Sequence, residues 1–139
     1  MNRRDVLKHA GGAAVLAGMP GALMAREGGL TVPPEDAPHQ RTFMQWPNSR
    51  DVYDDAAFLR MTQATIADIA NAIAEHEPVT MLAAAEHHAR IGRMVSGAVE
   101  LWDIPTEDLW CRDAGPLFAH RPDGSLVVSH LQFNGWGNK

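Results

Sequence analysis

The chain has 139 residues, 45% of them hydrophobic and 21% charged, so it can form at most one modest globular domain and fits neither a disordered nor a fibrous protein. Its formal net charge of -5 argues against a nucleic-acid scaffold, which would carry a basic face, and suits a small cationic partner better. The single cysteine, Cys111, excludes an intramolecular disulfide framework, and no CxxC pair indicates a structural zinc site.

Residues 1–25 have the order of a twin-arginine export signal, because Arg3 and Arg4 precede a weakly apolar run of small residues that ends at Ala25. The run is shorter than the ~20 residues of a membrane span and is interrupted by glycine and proline, so we expect no stable membrane anchor. We therefore expect the twin-arginine export machinery to deliver residues 26–139 to the periplasm or the exterior. A cytoplasmic protein with an ordinary N-terminal helix is the alternative.

The region that follows is extended and rich in proline and glycine, with one short predicted strand at residues 42–46. A helix is predicted next, because Asp54 or Asp55 can cap its first turn and Pro78 prevents its continuation. Its apolar positions recur near helical spacing and should face the core. These positions are Phe58, Met61, Ile66, Ile69 and Ile73.

A strand–helix–strand crossover is predicted from three consecutive segments: a strand at residues 79–83, a helix at 86–95 ended by Gly97, and a strand at 99–102. Such a unit places both strands in one sheet. A hairpin should follow, with strands at 117–120 and 126–133 around a turn at 121–125. Together these elements leave sheet edges uncovered, so residues beyond this chain or another chain should cover them.

Residues 107–116 concentrate groups that suit a guanidinium ligand. A carboxylate such as Asp113 can accept the forked donors of a guanidinium, and the face of Trp110 can attract the cation. Asp108, Trp46 and Trp136 are further candidates for substrate binding. We expect the turn at Gly115 to hold Asp113 at the rim of a cleft, outside regular structure.

A purely structural interpretation of the same residues is a salt bridge from Arg112 to Asp108 or Asp113. On an extended segment Cys111 would lie on the side of Asp113, and Arg112 would face away. Two alternatives therefore stay open for Cys111: a reactive thiol, which no neighbouring cation supports, and a buried or pocket-lining thiol, which is the more common outcome. The adjacent His87 and His88 cannot chelate one ion as an i, i+4 pair does. We therefore predict no metal site.

Three segments in one order carry a family resemblance: residues 43–47 (FMQWP), 108–116 (DLWCRDAGP) and 133–139 (FNGWGNK). Over residues 31–139 the chain resembles the N-terminal part of agmatine deiminases and bacterial peptidyl-arginine deiminases. The resemblance implies an α/β fold, a partial pentein. This α/β propeller has five ββαβ units, of which roughly one and a half would fit here.

The resemblance also implies a cofactor-free hydrolysis. In that family a cysteine thiolate attacks the guanidinium carbon, ammonia leaves, and water converts the thiouronium intermediate to a ureido product, N-carbamoylputrescine when the substrate is agmatine. The role of binding the guanidinium carries over to Asp113, with Trp110 walling the pocket. The family's nucleophilic cysteine, catalytic histidine and second acid match no position here. We therefore expect no catalytic residue in these 139, a nucleophile that lies beyond Lys139, and an N-terminal fragment that is inactive alone.

Two alternatives to an agmatine deiminase of putrescine biosynthesis stay open. An exported peptidyl-arginine deiminase, which would citrullinate proteins, accords with the predicted signal. A periplasmic module that binds cationic amines without turnover would need only Asp113 and the tryptophans.

Overall fold

The computed structural model describes residues 29–135, which form five strands and three helices. In chain order these are β1 Thr42–Gln45, α1 Ala56–Ala74, β2 Val79–Ala83, α2 Ala85–Ile91, β3 Val99–Asp103, α3 Cys111–Ala114, β4 Leu117–His120 and β5 Leu126–Ser129. They fall into two units: the first is His39–Cys111, and the second contains residues 29–38 and 112–135 of the described part. The predicted export signal at residues 1–25 lies outside the described residues.

The first unit contains a parallel sheet in the order β1-β2-β3. Thr42 pairs with Val79 and Val79 pairs with Val99, so the three strands start in register. The predicted crossover is confirmed, since α2 connects β2 to β3 in the same sheet. β1 was predicted as a separate short strand, and it joins this sheet because α1 forms an equivalent crossover before β2.

α1 begins where Asp55 caps it: the Asp55 carboxylate accepts hydrogen bonds from the amides of Ala57 (2.6 Å) and Phe58 (3.2 Å). These amides are donors that a helix leaves unsatisfied at its N-terminus, which explains the choice of an acid here. The same bonds hold the pKa of Asp55 below its ordinary value. The predicted helix and its cap are therefore confirmed.

The buried face of α1 agrees only in part with the predicted one. Ile66 is buried and Ile73 packs against the core, as predicted, whereas Phe58, Met61 and Ile69 are exposed. The buried residues of the helix include two alanines; they are Leu59, Gln63, Ile66, Ala67 and Ala70. Alanine lets the helix axis approach the sheet closely, so packing selected the small residues over the larger apolar ones.

α2 ends at Ile91, four residues before the predicted limit. Tertiary hydrogen bonds from Asn71 of α1 explain the early end. Its side chain donates to the carbonyl of Met94 (3.1 Å) and accepts from the amide of Ser96 (2.7 Å). Backbone groups that would have continued the helix are therefore satisfied by another element.

Helix and sheet enclose the core of the first unit between them. Nine buried residues form this core: Trp46, Ile66, Ala67, Ala70, Val79, Met81, Ala83, Ile91 and Val99. The alternate residues of β2 and β3 lie on the other face of the sheet. There the Arg41 guanidinium donates to Thr80 (2.7 Å) and Glu100 (2.6 Å) and lies 5.5 Å from the ring centroid of Trp102. One sheet face is thus apolar, and the other is organised by an arginine.

The second unit contains the antiparallel hairpin of β4 and β5, as predicted. Its turn is stabilised by Asp123, whose carboxylate accepts from the Ser125 amide (2.9 Å), and by Gly124, which adopts a positive φ of 81°. β5 ends at Ser129, and the prediction of a strand to residue 133 is wrong. Ser129 pairs with Leu117, the first residue of β4, so later residues have no strand to pair with.

Within residues 29–135, no helix combines the length and the apolar character that crossing a membrane requires.

Candidate functional site

The carboxyl ends of parallel strands lie at the same edge of a sheet, where ligand sites commonly form. Two loops meet at this edge in the first unit: the β1 loop (residues 46–53) and the β3 loop (residues 104–110). The Glu107 carbonyl accepts from the amides of Asn48 and Ser49, each at 3.2 Å, and the Thr106 hydroxyl donates to the Trp46 carbonyl at 2.7 Å. Their backbones are therefore joined by several hydrogen bonds.

Tyr53 and Asp108 make a further link between the same two loops. The Tyr53 hydroxyl donates to Asp108 Oδ1 at 2.5 Å, and the Leu109 amide donates to the same oxygen at 2.7 Å. Burial and this acceptor together raise the pKa of Tyr53 well above its ordinary value. The phenol therefore stays protonated and remains a hydrogen-bond donor throughout the physiological range.

The sequence analysis did not identify the side chains of α1 and α2 that anchor the β1 loop. Buried Gln63 donates to the carbonyl of Pro47 at 2.8 Å and accepts from Arg90 at 2.6 Å. Asn48 Nδ2 and His87 Nε2 lie 2.8 Å apart, which places His87 in a hydrogen bond to this loop. The only available signal was a polar residue, Gln63, on the buried face of a helix, and its partners are distant in sequence.

The two tryptophans predicted for the first unit have opposite environments. Trp46 belongs to the core and is 1% exposed, whereas Trp110 is 55% exposed. Trp46 has an observed packing role, and its role in substrate binding stays a prediction. The exposed Trp110 is accessible, and its role in substrate binding likewise stays a prediction. Trp136 lies outside the described residues.

Asp113 is exposed and occupies the third position of α3, so the prediction that it lies outside regular structure is wrong. It belongs to the second unit, whereas Asp108 and Trp110 belong to the first. The helical turn also overturns the expectation that Cys111 and Asp113 share one side, because residues two apart in a helix point in nearly opposite directions. Backbone hydrogen bonding in 111–114 replaced the extended form that the sequence suggested.

Arg112 does not pair with Asp108 or Asp113, contrary to the structural interpretation of the sequence. Its guanidinium lies 2.7 Å from Glu35, and both side chains are more than 80% exposed. An exposed pair of this kind contributes little stability. The pairing therefore leaves Asp113 available to a ligand.

Cys111 is half-buried, and burial raises its pKa to about 11. A cysteine nucleophile needs a lowered pKa, so the environment disfavours the thiolate that attack would require. The nucleophile expected beyond Lys139 stays a prediction, and Lys139 itself lies outside the described residues. Across residues 29–135, no group of three or more His, Cys, Asp or Glu side chains is arranged to hold a metal ion.

Comparison with solved structures identifies the fold class. A C. jejuni agmatine deiminase variant, solved with substrate bound, matches with a TM-score of 0.65 and 21% identity over 84% of this chain and 34% of that one. The chain is a mixed α/β portion of the pentein fold, as the resemblance implied. The number of ββαβ units stays a prediction.

Residues 31–139 match the model of the Porphyromonas-type peptidyl-arginine deiminase family, and the chain belongs to that family. The agmatine deiminase of Stutzerimonas stutzeri is 37% identical over 115 residues, which cover 82% of this chain and 31% of the relative. That of Ectopseudomonas mendocina is 35% identical over 113 residues, covering 81% of this chain and 30% of the relative. The chain thus spans about a third of the length of the curated relatives it matches.

Proposed function

We propose that this chain is the N-terminal portion of an agmatine deiminase, which converts agmatine and water to N-carbamoylputrescine and ammonia. The relatives' names supply the substrate, and the observation that carries the proposal is the motif of residues 108–116 with Trp110 and Asp113 both exposed. Such a deiminase would serve putrescine biosynthesis.

In this proposal Asp113 and Trp110 each contribute a different interaction with the guanidinium group of agmatine. The Asp113 carboxylate accepts hydrogen bonds from the planar guanidinium, which donates in a fork that matches two oxygens. The Trp110 face contributes a cation–π attraction of about 0.5–2 kcal/mol, depending on how far water is excluded.

Turnover needs residues outside these 139, with a nucleophile beyond Lys139. The thiolate of a second cysteine would form a bond to the guanidinium carbon, the C–N bond would break, and the leaving nitrogen would take up protons to depart as ammonia. Water would then displace the thiolate and yield the ureido product. Cys111 is the only cysteine, and its raised pKa disfavours this role. We therefore propose that the chain alone is inactive.

A chimera tests the proposal. The matched 115-residue segment of the Stutzerimonas relative would be replaced by its counterpart from this chain, and ammonia and N-carbamoylputrescine would be measured with agmatine. We expect activity from the chimera, a loss of at least about a hundredfold with Asp113→Asn, and little change with Asp68→Asn, an exposed acid on α1. An active Asp113→Asn chimera, or wild-type-like ammonia release by the 139-residue chain alone, would contradict the proposal.

A second candidate, a peptidyl-arginine deiminase, is favoured by the family whose model the chain matches. The same chimera would be assayed for citrulline formation on arginine-containing peptides. Preference for peptides over agmatine would select this candidate. A binding module is the third candidate, and saturable heat on titrating agmatine into the 139-residue chain would support it.

We also propose export by the twin-arginine machinery, on the strength of Arg3 and Arg4 before an apolar run. Residues 1–25 fused to a reporter that functions only after export provide the test. Replacement of both arginines by lysine should abolish the signal, and a reporter retained inside with the unaltered segment would leave the cytoplasmic alternative.

A further inference from the structure

One oxygen of the Asp108 carboxylate is already engaged by the protein. Its Oδ1 accepts from the Tyr53 hydroxyl at 2.5 Å and from the Leu109 amide at 2.7 Å. A forked guanidinium binds a carboxylate through both oxygens, and Oδ1 of Asp108 already receives two donors. The position of this carboxylate in a substrate-binding motif therefore does not by itself make it a substrate ligand.

Tyr53 is held firmly enough by its surroundings to orient the Asp108 carboxylate. The residue is 7% exposed, its amide donates to the Ser49 carbonyl at 2.9 Å, and its ring contacts Phe58 with centroids 6.1 Å apart. Asp55, two residues later, caps α1. The hydroxyl is consequently held by a packed ring and by a loop that runs straight into a helix.

Trp110 lies directly after the last anchored residues of the β3 loop. The Leu109 side chain packs against the core, and its amide is bonded to Asp108. Trp110 then projects from this anchored backbone with 55% of its surface exposed. With more than half of its surface in solvent, the indole is less confined than a core side chain, so its direction depends on the backbone of the two residues before it.

We infer that Tyr53 and Asp108 are positioning residues that orient Trp110 for the guanidinium, and that Asp108 does not itself bind the substrate. This inference rests on the proposed function, because it assigns Trp110 a ligand to receive. The hydrogen bond from the Tyr53 hydroxyl holds the Asp108 carboxylate in place, and that carboxylate in turn holds the Leu109 amide. The backbone that follows then determines the direction of the Trp110 indole.

Substitutions at position 108 separate positioning from charge recognition. Asp108→Asn keeps an oxygen that can accept both hydrogen bonds while it removes the charge. Asp108→Ala removes the acceptor as well, and Tyr53→Phe removes one donor while it preserves the ring. If the hydrogen bonds matter, asparagine restores what alanine loses; if the charge matters, asparagine and alanine behave alike.

The experiment is fluorine NMR of the 139-residue chain labelled with 5-fluorotryptophan, with its four tryptophan signals assigned by single Trp→Phe replacements. Tyr53→Phe and Asp108→Ala should shift the Trp110 signal and leave the signals of buried Trp46 and Trp102 in place. Asp108→Asn and the control Asp51→Asn should leave all of them unchanged.

Three outcomes would overturn the inference: an unchanged Trp110 signal in Tyr53→Phe, an Asp108→Asn shift as large as that of Asp108→Ala, or movement of the Trp46 and Trp102 signals together with that of Trp110. No ligand or turnover enters the measurement. Failure of the chimera assay would refute the proposed function alone, and failure here would refute only the positioning role.

Discussion

Three aspartates show how environment divides one residue type among different roles. Asp55 caps a helix, Asp108 accepts the Tyr53 hydroxyl, and Asp113 is exposed on α3. All three are acids next to turn signals, so the sequence alone does not show which role each of them has. The partners of each carboxylate made the distinction, and for Asp55 and Asp108 those partners are backbone amides or a side chain 55 residues away.

The cap of α1 gives a prediction with a defined pH dependence. Because hydrogen bonding lowers the folded pKa of Asp55 below its ordinary 3.8, its stabilisation is full above that ordinary value and is lost as pH falls through the lowered one. Asp55→Ala should therefore lower the thermal midpoint at pH 7. Thermal melts from pH 7 to pH 2 should show the difference from wild type shrinking at the acid end.

Asparagine at position 55 is the matched control, because it can accept the same amide hydrogen bonds without a charge. Asp55→Asn should retain most of the midpoint, with less dependence on pH. A midpoint difference for Asp55→Ala that persists unchanged at pH 2 would count against the carboxylate as the stabilising group.

The thiol of Cys111 gives a second prediction at this scale. With its pKa raised to about 11, Cys111 should react with iodoacetamide at pH 7.5 more slowly than a free cysteine. The rate should increase with pH toward the raised value, because only the thiolate attacks. Mass spectrometry of timed samples measures it, and rapid, pH-independent alkylation would contradict the raised pKa.

At the scale of elements, α1 shows why periodicity alone misplaced part of a face. Apolar residues occur on two sides of this helix, and the pattern grouped the exposed Phe58, Met61 and Ile69 with the residues that do pack on the core. Ala67 and Ala70 lie on the buried side, where their small size lets α1 approach the sheet. A prediction that gives more weight to large apolar side chains assigns these alanines little importance for the buried face, although they determine the packing.

Two neighbouring positions of α1 should therefore respond differently to truncation. Leu59→Ala removes a buried side chain and should lower the free energy of unfolding by about 2–5 kcal/mol. Met61→Ala acts at a site that is 60% exposed and should change it by no more than about 0.5 kcal/mol. Urea denaturation of both variants measures the contrast, and equal losses would restore the face predicted from periodicity.

The ends of α2 and β5 were set by other elements. α2 ends early because Asn71 of α1 takes up the backbone groups that follow it, and β5 ends at Ser129 because β4 begins at Leu117. Neither limit has a strong local signal. The interior of each element was predictable, since β2, β3 and the hairpin turn carry apolar runs and turn residues in their own sequence.

At the scale of the whole molecule, charge bears on the proposed substrate. The chain has a formal net charge of -5, and agmatine is a cation, so long-range attraction should assist binding. The Debye length falls from about 30 Å at 0.01 M salt to about 3 Å at 1 M. We therefore predict that the KM of the chimera for agmatine rises several-fold across this range.

The salt titration would use sodium chloride, with the thermal midpoint of the chimera monitored at each concentration. A stable midpoint together with a rising KM would assign the effect to screening of the substrate. A KM independent of salt would contradict the predicted electrostatic attraction.

Local signals in the sequence determined the α/β class, a helix start at Asp54 or Asp55, the hairpin turn and the motif with Trp110 and Asp113, because caps, turns and short motifs depend on adjacent residues. Tertiary structure alone decided which face of α1 is buried, that Trp46 belongs to the core, that Arg112 pairs with Glu35, and that Tyr53 holds Asp108. These outcomes depend on side-chain volumes and hydrogen-bond partners that come together only when distant segments pack, so a linear pattern does not contain them.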